Sequence, residues 1–256
     1  MNTVATRPSR IRTRAWLPRL AAIALAVVLW WVCTDLVAGP GSLLREFGPQ
    51  HVPGAAAELF DRGVLLPDIG VSMWRLLVGL LIAVTAGVPL GLLLGLHATT
   101  ERAVAPVVQF LRMISPLSWA PIAVALFGIG NQPVIFLVAA ASVWPIVLNT
   151  AAGVRAIDPG LLLVARSFGA SRREQLTAVV LPAIRGQVQT GFRVALGIAW
   201  VVLVPAEMLG VRSGLGYQIL NARDQLAYDQ VMAVIVVIGI IGYAVDTLSR
   251  MILDRR

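Results

Sequence analysis

The chain has 256 residues, 58% of them apolar and 13% charged, with a mean hydropathy of +0.82. A soluble globular domain carries about 25% charged and 45–50% apolar residues, so a water-soluble enzyme with one ordinary core is excluded. Disordered, collagenous and (Cys33 being the one cysteine) disulfide-framed classes are excluded too. The net charge of +8 is the excess of 21 arginines, with no lysine, over 13 acidic residues, but these arginines punctuate long apolar runs instead of clustering on a soluble surface. That placement argues against nucleic acid as a partner and for a lipid bilayer.

A helix crossing the hydrocarbon core needs about 20 mostly apolar residues. The first candidate, 20–38, starts after a basic tail at 1–19 and contains Trp30 and Trp31 as interfacial anchors, with Cys33 expected to pack against the helix. A cleaved signal peptide is the alternative here, but Leu36 before Ala38 makes a poor cleavage site. Residues 39–75 are expected to form an external loop and pre-membrane segment. The second span is then uncharged from Leu76 to Thr100. The uncharged run Met113–Val154 equals about 63 Å of helix and must fold back on itself, with the turn expected at Gly128-Ile-Gly-Asn-Gln-Pro133. A fifth span fits Val188–Leu209 and a sixth Val231–Leu253. The membrane core is thus 76–253, with a cytoplasmic segment at 153–187 and a cytoplasmic end at 254–256. Short cytoplasmic loops hold the positive excess. Placing both termini inside puts 16 of the 21 arginines there, with Arg75 among the outer five.

Several residues at membrane depth suggest packing or transport. Gly79, Ala83, Gly87, Gly91 and Gly95 repeat every four residues and form one small-residue stripe for close helix approach, within one subunit or at a dimer interface. Gly191, Ala195 and Ala199 make a shorter one. Pro89, Pro106, Pro116, Pro121, Pro145 and Pro205 break or kink helices, which suits a transporter better than a passive anchor. Ser115, Pro116, Trp119, Trp144, Asn149 and Glu207 are candidate pathway or gate residues. Glu207, Asp246, Arg112 and Arg193 are ionisable and close to the apolar spans, where such groups are functional hypotheses by default. Structural anchoring is the competing account of these four. The two histidines, His51 and His97, lie apart, so neither a metal site nor a cofactor is expected.

Between the fourth and fifth spans, Asp158-Pro159 forms a helix start and Gly169 a stop. Ser171 with Glu174 three residues later forms a capping box. A second helix is expected to end at Leu181 before Pro182. The product is a basic helix–glycine–helix elbow without a phosphate loop, ligand cluster or nucleophile–base pair.

Val164-Ala-Arg-Ser-Phe-Gly-Ala-Ser-Arg-Arg173 followed by Val179-Val-Leu-Pro182 resembles the "EAA" loop of binding-protein-dependent ABC importer permeases. The spacing from Gly169 to Leu181 and Pro182 fits without a gap and Ala165 matches, while Leu163 and Val164 stand where the pattern has Glu and Ala. Ser72-Met-Trp-Arg-Leu-Leu-Val-Gly79, Gly87-Val-Pro-Leu-Gly91, Ser115-Pro-Leu-Ser-Trp-Ala-Pro-Ile122, Ala199-Trp200 and Ala206-Glu-Met-Leu-Gly210 are similar to the nitrate/sulfonate/taurine branch. The resemblance implies an all-α type I importer permease fold with six transmembrane helices in a bacterial plasma membrane. It also implies a second permease subunit as a homodimer partner, cytoplasmic ATPase subunits, and a periplasmic or lipid-anchored solute-binding protein. Ala165, Gly169, Ala170, Ser171, Arg172, Arg173, Glu174, Leu181 and Pro182 would form the ATPase contact, and ATP would be hydrolysed on the partner. The solute would be small, such as nitrate, a sulfonate or taurine. Rival readings are a secondary transporter or channel, which needs buried coupling charges or inverted repeats, and an intramembrane enzyme, which needs clustered acids or histidines.

Overall fold

The computed structural model describes residues 16–39, 41–209 and 211–253; most of the basic tail, Gly210 of the Ala206–Gly210 motif and the end 254–256 lie outside it. Every regular element among the described residues is helical. Helix α1 (Trp16–Trp31) continues into a π-helical turn, Val32–Leu36, and short helix α2 (Val52–Asp61) follows. Helix α3 (Leu65–Leu96), α4 (Ala98–Met113) and α5 (Ala120–Phe127) lead to α6 (Asn131–Arg155). Helices α7 (Pro159–Ser167) and α8 (Arg172–Glu174) precede α9 (Leu181–Met208), α10 (Leu215–Asp224) and α11 (Tyr228–Leu253).

Four helical stretches are long and apolar enough to cross a membrane: α3, α6, 172–208 and α11. The bent pair of α4 with 116–127 makes a fifth when it is counted as one span, and Leu20–Leu36, the expected first span, is an apolar helical stretch shorter than that length. Helix α6 lies at the centre, packed lengthwise against α3 on one side and α9 on the other. The core they share includes Leu76, Leu80, Leu137, Val138, Ile146, Ala195, Ala199 and Leu203. The small-residue stripe of α3 faces α6 within the chain. A Cβ added at Gly79 would lie 2.5 Å from Val138 Cγ1, at Gly87 2.9 Å from Ile146 Cγ2, and at Gly95 2.6 Å from Val154 Cβ. Ala83 on the same stripe is buried. Between apolar helices in lipid, this close backbone approach is the main source of cohesion. On α9, a Cβ at Gly191 would meet Asn149 and the Pro145 carbonyl of α6.

Several elements depart from the sequence expectation. Helix α3 starts at Leu65, eleven residues before Leu76, and Arg75 lies buried within it, not in an outer loop. Charge was a misleading delimiter there because Asp68 and Arg75 are satisfied internally. The third span is not a straight helix: the interval between Thr100 and Met113, which separates the expected second and third spans, is helical, and the chain turns by 86° before 116–127. The turn falls at Ile114 and Ser115, which are extended (ψ 126 and 129); a residue before proline is pushed out of the α region. The second elbow helix does not stop at Pro182. A π-helical stretch, Gln175–Val180, joins α8 to α9, and the Leu181 N–H reaches Leu176 O, so the widened turn absorbs the proline and the helix continues to Met208. Pro89 likewise stays inside continuous α3. Cys33 is exposed, not packed.

Candidate functional site

Three places on this frame gather polar or irregular structure. The first is a groove beside the α4–α5 turn, with a cavity volume of about 620 Å³. Arg112 enters its wall from α4, Pro116 and Trp119 from the turn, and Trp144 and Asn149 from α6, with Val194 and Ile198 of α9 closing the far side. Four of the six candidate pathway residues thus converge. Ser115 and Glu207 are not on this wall. The turn creates the groove: Pro116 starts a short 3-10 helix, Pro116–Trp119, which sets the indole of Trp119 against α6. On α6, Pro145 has no N–H, and Asn149 Nδ2 donates to the Pro145 carbonyl at 2.8 Å.

The second place is a buried ionic cluster at one end of the bundle. Asp68, Ser72 and Arg75 follow one another at helical spacing along α3, and Glu207 faces them from α9. Arg75 is 1% exposed and Glu207 0%, with Nη1 and Oε1 2.7 Å apart. Arg75 Nε donates to Asn131 Oδ1 (2.9 Å), Nη1 also to the Ser213 carbonyl (2.8 Å) and Nη2 to Ser213 Oγ (2.9 Å). Ser72 Oγ donates to the Glu207 carboxylate. The same acids cap α10, whose first N–H groups have no intrahelical acceptor. Gly214 N–H donates to Asp68 Oδ1 (2.7 Å), Leu215 N–H to Ser72 Oγ (2.9 Å) and Gly216 N–H to Glu207 Oε2 (2.9 Å). Carboxylates at a helix N-terminus also match its dipole. Gly214 has φ +101, and a Cβ there would strike Glu207 and Arg75. One cluster therefore ties together α3, α6, α9 and α10. Asp68, Ser72, Arg75, Asn131 and Ser213 were not among the candidates; their signal in the sequence is the i, i+4, i+7 spacing of Asp68, Ser72 and Arg75 just before an apolar run.

The third place is the elbow, at the opposite end. Asp158 Oδ1 accepts the Gly160 N–H at 2.8 Å to start α7. Gly169 has φ +77, a left-handed conformation that favours glycine. The Ser171–Glu174 capping box is formed in both directions, with Ser171 N–H donating to Glu174 Oε2 at 2.7 Å and Glu174 N–H donating to Ser171 Oγ at 3.3 Å. The elbow is anchored from within: Leu162 and Leu176 pack against a small core of Val154, Val180 and Ile184, together with Leu92 of α3. Its outer side is apolar and bare. Phe168 is 88% exposed, and Leu161, Leu163 and Val164 are exposed beside it. Arg172 and Arg173 project next to them, and Ala165, Ala170 and Pro182 complete the segment. An ion pair from Arg155 to Glu101 ties the end of α6 to the start of α4 at this level. No group of three or more His, Cys, Asp or Glu suited to a metal occurs among the described residues.

Comparison with known proteins gives consistent matches. Residues 87–256 match the family described as binding-protein-dependent transport system inner membrane component. A putative ABC transporter permease of Methanocaldococcus jannaschii is 34% identical over 96% of this chain and 93% of its own. The nitrate import permease NrtB of Synechococcus elongatus is 30% identical over 96% and 95%. The taurine transport system permease TauC of Escherichia coli is 31% identical over 89% and 84%. Among solved structures, an inward-facing form of the MetNI methionine ABC transporter superposes with TM-score 0.61 at 20% identity, covering 74% of this chain and 94% of that one; at that identity the likeness concerns the fold alone.

Proposed function

The chain belongs to the binding-protein-dependent transport inner membrane components, and from that premise we propose how its three sites divide the work of import. It is the transmembrane permease subunit of an ABC importer. In our reading the elbow receives a cytoplasmic ATPase subunit, the groove is this subunit's share of the solute pathway, and the buried cluster braces the outer end. The protein is multi-pass in a bacterial plasma membrane, with the elbow on the cytoplasmic side, where α1 begins and α11 ends. A second copy of the chain closes the groove, and a solute-binding protein delivers the solute at the cluster end. ATP is hydrolysed on the partner, and this chain does no covalent chemistry. The solute is small: nitrate, a sulfonate such as taurine, or a related compound.

The observation that carries this reading is the two-faced elbow. Its inner face is packed onto the ends of α3, α6 and α9, while its outer face exposes Phe168, Leu161, Leu163 and Val164 beside Arg172 and Arg173. An exposed apolar patch rimmed by charge is the signature of a protein partner. Because the inner face is fixed to the bundle, displacement of the outer face moves the helices with it, which is what rigid-body gating requires. The test replaces Gly169 with Val, whose branched side chain is strained at φ +77, and separately reverses Arg172 and Arg173 to Glu. ATPase co-purification and solute uptake should both fall while the protein remains inserted. Normal association and uptake in both variants would refute the coupling role.

A further inference from the structure

The groove carries a chemical bias that conduction alone does not require. Arg112 is the one formally charged residue on its wall. Among the described residues its guanidinium makes no ion pair or hydrogen bond, and neither do the indole N–H groups of Trp119 and Trp144. An indole N–H only donates, and a guanidinium only donates. Against these donors the wall offers one side-chain acceptor, the Asn149 amide oxygen, since Asn149 Nδ2 is committed to the Pro145 carbonyl. The rest is apolar, from Phe136, Leu148 and Ile198. The end of α4 by itself favours a cation at this position through the helix dipole, but it does not account for a wall of donors without a carboxylate.

We propose that the groove holds a binding subsite for one small oxyanion, read by Arg112 together with the Trp119 and Trp144 indoles. This rests on the reading of the groove as the solute pathway and deepens it. The permease itself then selects on charge, in addition to any selection by a binding protein. A guanidinium presents two parallel N–H groups to two oxygens of a planar or tetrahedral anion. Arg112 is exposed in the single subunit, so that attraction strengthens when a second copy closes the apolar-walled groove and excludes water. A cavity of about 620 Å³ lies within the usual range for small-molecule sites, and its apolar part accommodates a short alkyl tail beside the charged head. The residues enter from two separate segments, so the α4–α5 turn is what assembles the subsite: Arg112 lies just before it and Trp119 just after.

The test uses the assembled transporter in lipid nanodiscs, with Cys33→Ala and Ala140→Cys in this subunit. Ala140 is on the groove wall, so modification of Cys at that position by a water-soluble thiol reagent reports whether the groove is wetted. Binding is read as quenching of tryptophan fluorescence by iodide, isolated by difference against the Trp119→Phe/Trp144→Phe variant, with methanesulfonate as the non-quenching competitor. The expected result is modification of the thiol and saturable iodide quenching that methanesulfonate reverses. In Arg112→Gln the half-saturating concentration should rise by about tenfold or more, the scale of a lost charge-assisted hydrogen bond, and Arg112→Lys, which keeps the charge but not the fork, should restore only part of it. Caesium, a cationic quencher, should show no saturation. A modified thiol with quenching that is linear in iodide, or unchanged in Arg112→Gln, overturns the subsite and leaves the pathway standing. An unmodified thiol overturns the pathway reading, and the subsite with it.

Discussion

Replacing Arg75 with Met keeps most of the side-chain volume and removes the guanidinium. Four hydrogen bonds are lost, to Asn131, Glu207 and, twice, Ser213. Glu207 then keeps only Ser72 Oγ and the Gly216 N–H as donors, leaving a carboxylate with no cation beside it at 0% exposure. Solvent screening does not soften this loss, because neither partner reaches water. Breaking one side of a buried pair costs about 3–5 kcal/mol, whereas removing both partners costs much less or nothing. We therefore expect Arg75→Met alone to lower the apparent unfolding midpoint by about 6–20 °C, taking about 2–4 °C per kcal/mol for a chain of this size. Arg75→Met combined with Glu207→Leu should recover more than half of that. The assay is thermal unfolding of purified protein followed by tryptophan fluorescence and size exclusion at one fixed scan rate, since membrane-protein unfolding is commonly irreversible. A shift below about 2 °C for the single variant, or additive losses in the pair, would refute the claim that these residues form one cluster.

Other expectations follow from the same geometry. Gly91→Ala places a Cβ 2.6 Å from Thr150 Cβ and 2.7 Å from the Val147 carbonyl, forcing α3 and α6 apart at a cost of about 1–3 kcal/mol. Gly70→Ala on the same helix meets nothing within 4 Å and should be neutral or stabilise by up to about 1 kcal/mol; equal losses in both would contradict the stripe. Thr150 is 0% exposed with no hydrogen-bond partner for Oγ1 among the described residues. Thr150→Val should thus be neutral or raise the unfolding midpoint, and a clear fall would show that the hydroxyl is satisfied. Ser171→Ala removes one arm of the capping box, worth about 0.5–2 kcal/mol of local helix stability. Faster amide exchange at 171–176, with the midpoint of the whole protein unchanged, is the expected readout.

What could be read from the sequence was local in origin. The apolar runs located the spans, Gly128–Pro133 located a reversal, and Asp158, Gly169 and the Ser171–Glu174 pair located the elbow, because each depends on residues within a few positions of one another. What could not be read depends on distant partners. Arg75 and Glu207 are separated by 132 positions, and each taken alone reads as a span boundary. Once they are paired, the charge no longer ends the helix, so α3 begins at Leu65. The α4–α5 turn was legible only as a proline-rich break; its 86° angle, and the groove it opens, are set by packing against α6. Pro182 misled in the opposite direction, since a π-helical stretch upstream gives the chain room to continue.

The central claim, that the exposed elbow is the docking site for an ATPase, is tested most directly by placing a photoreactive benzoyl-phenylalanine at Phe168. Leu226, 67% exposed and positioned beyond α10 at the cluster end, serves as the control site. Illumination of membranes containing the co-expressed ATPase should give a permease–ATPase adduct from position 168 and none from position 226. Absence of the adduct at 168 in an assembled complex, or equal yield from both positions, would contradict the account.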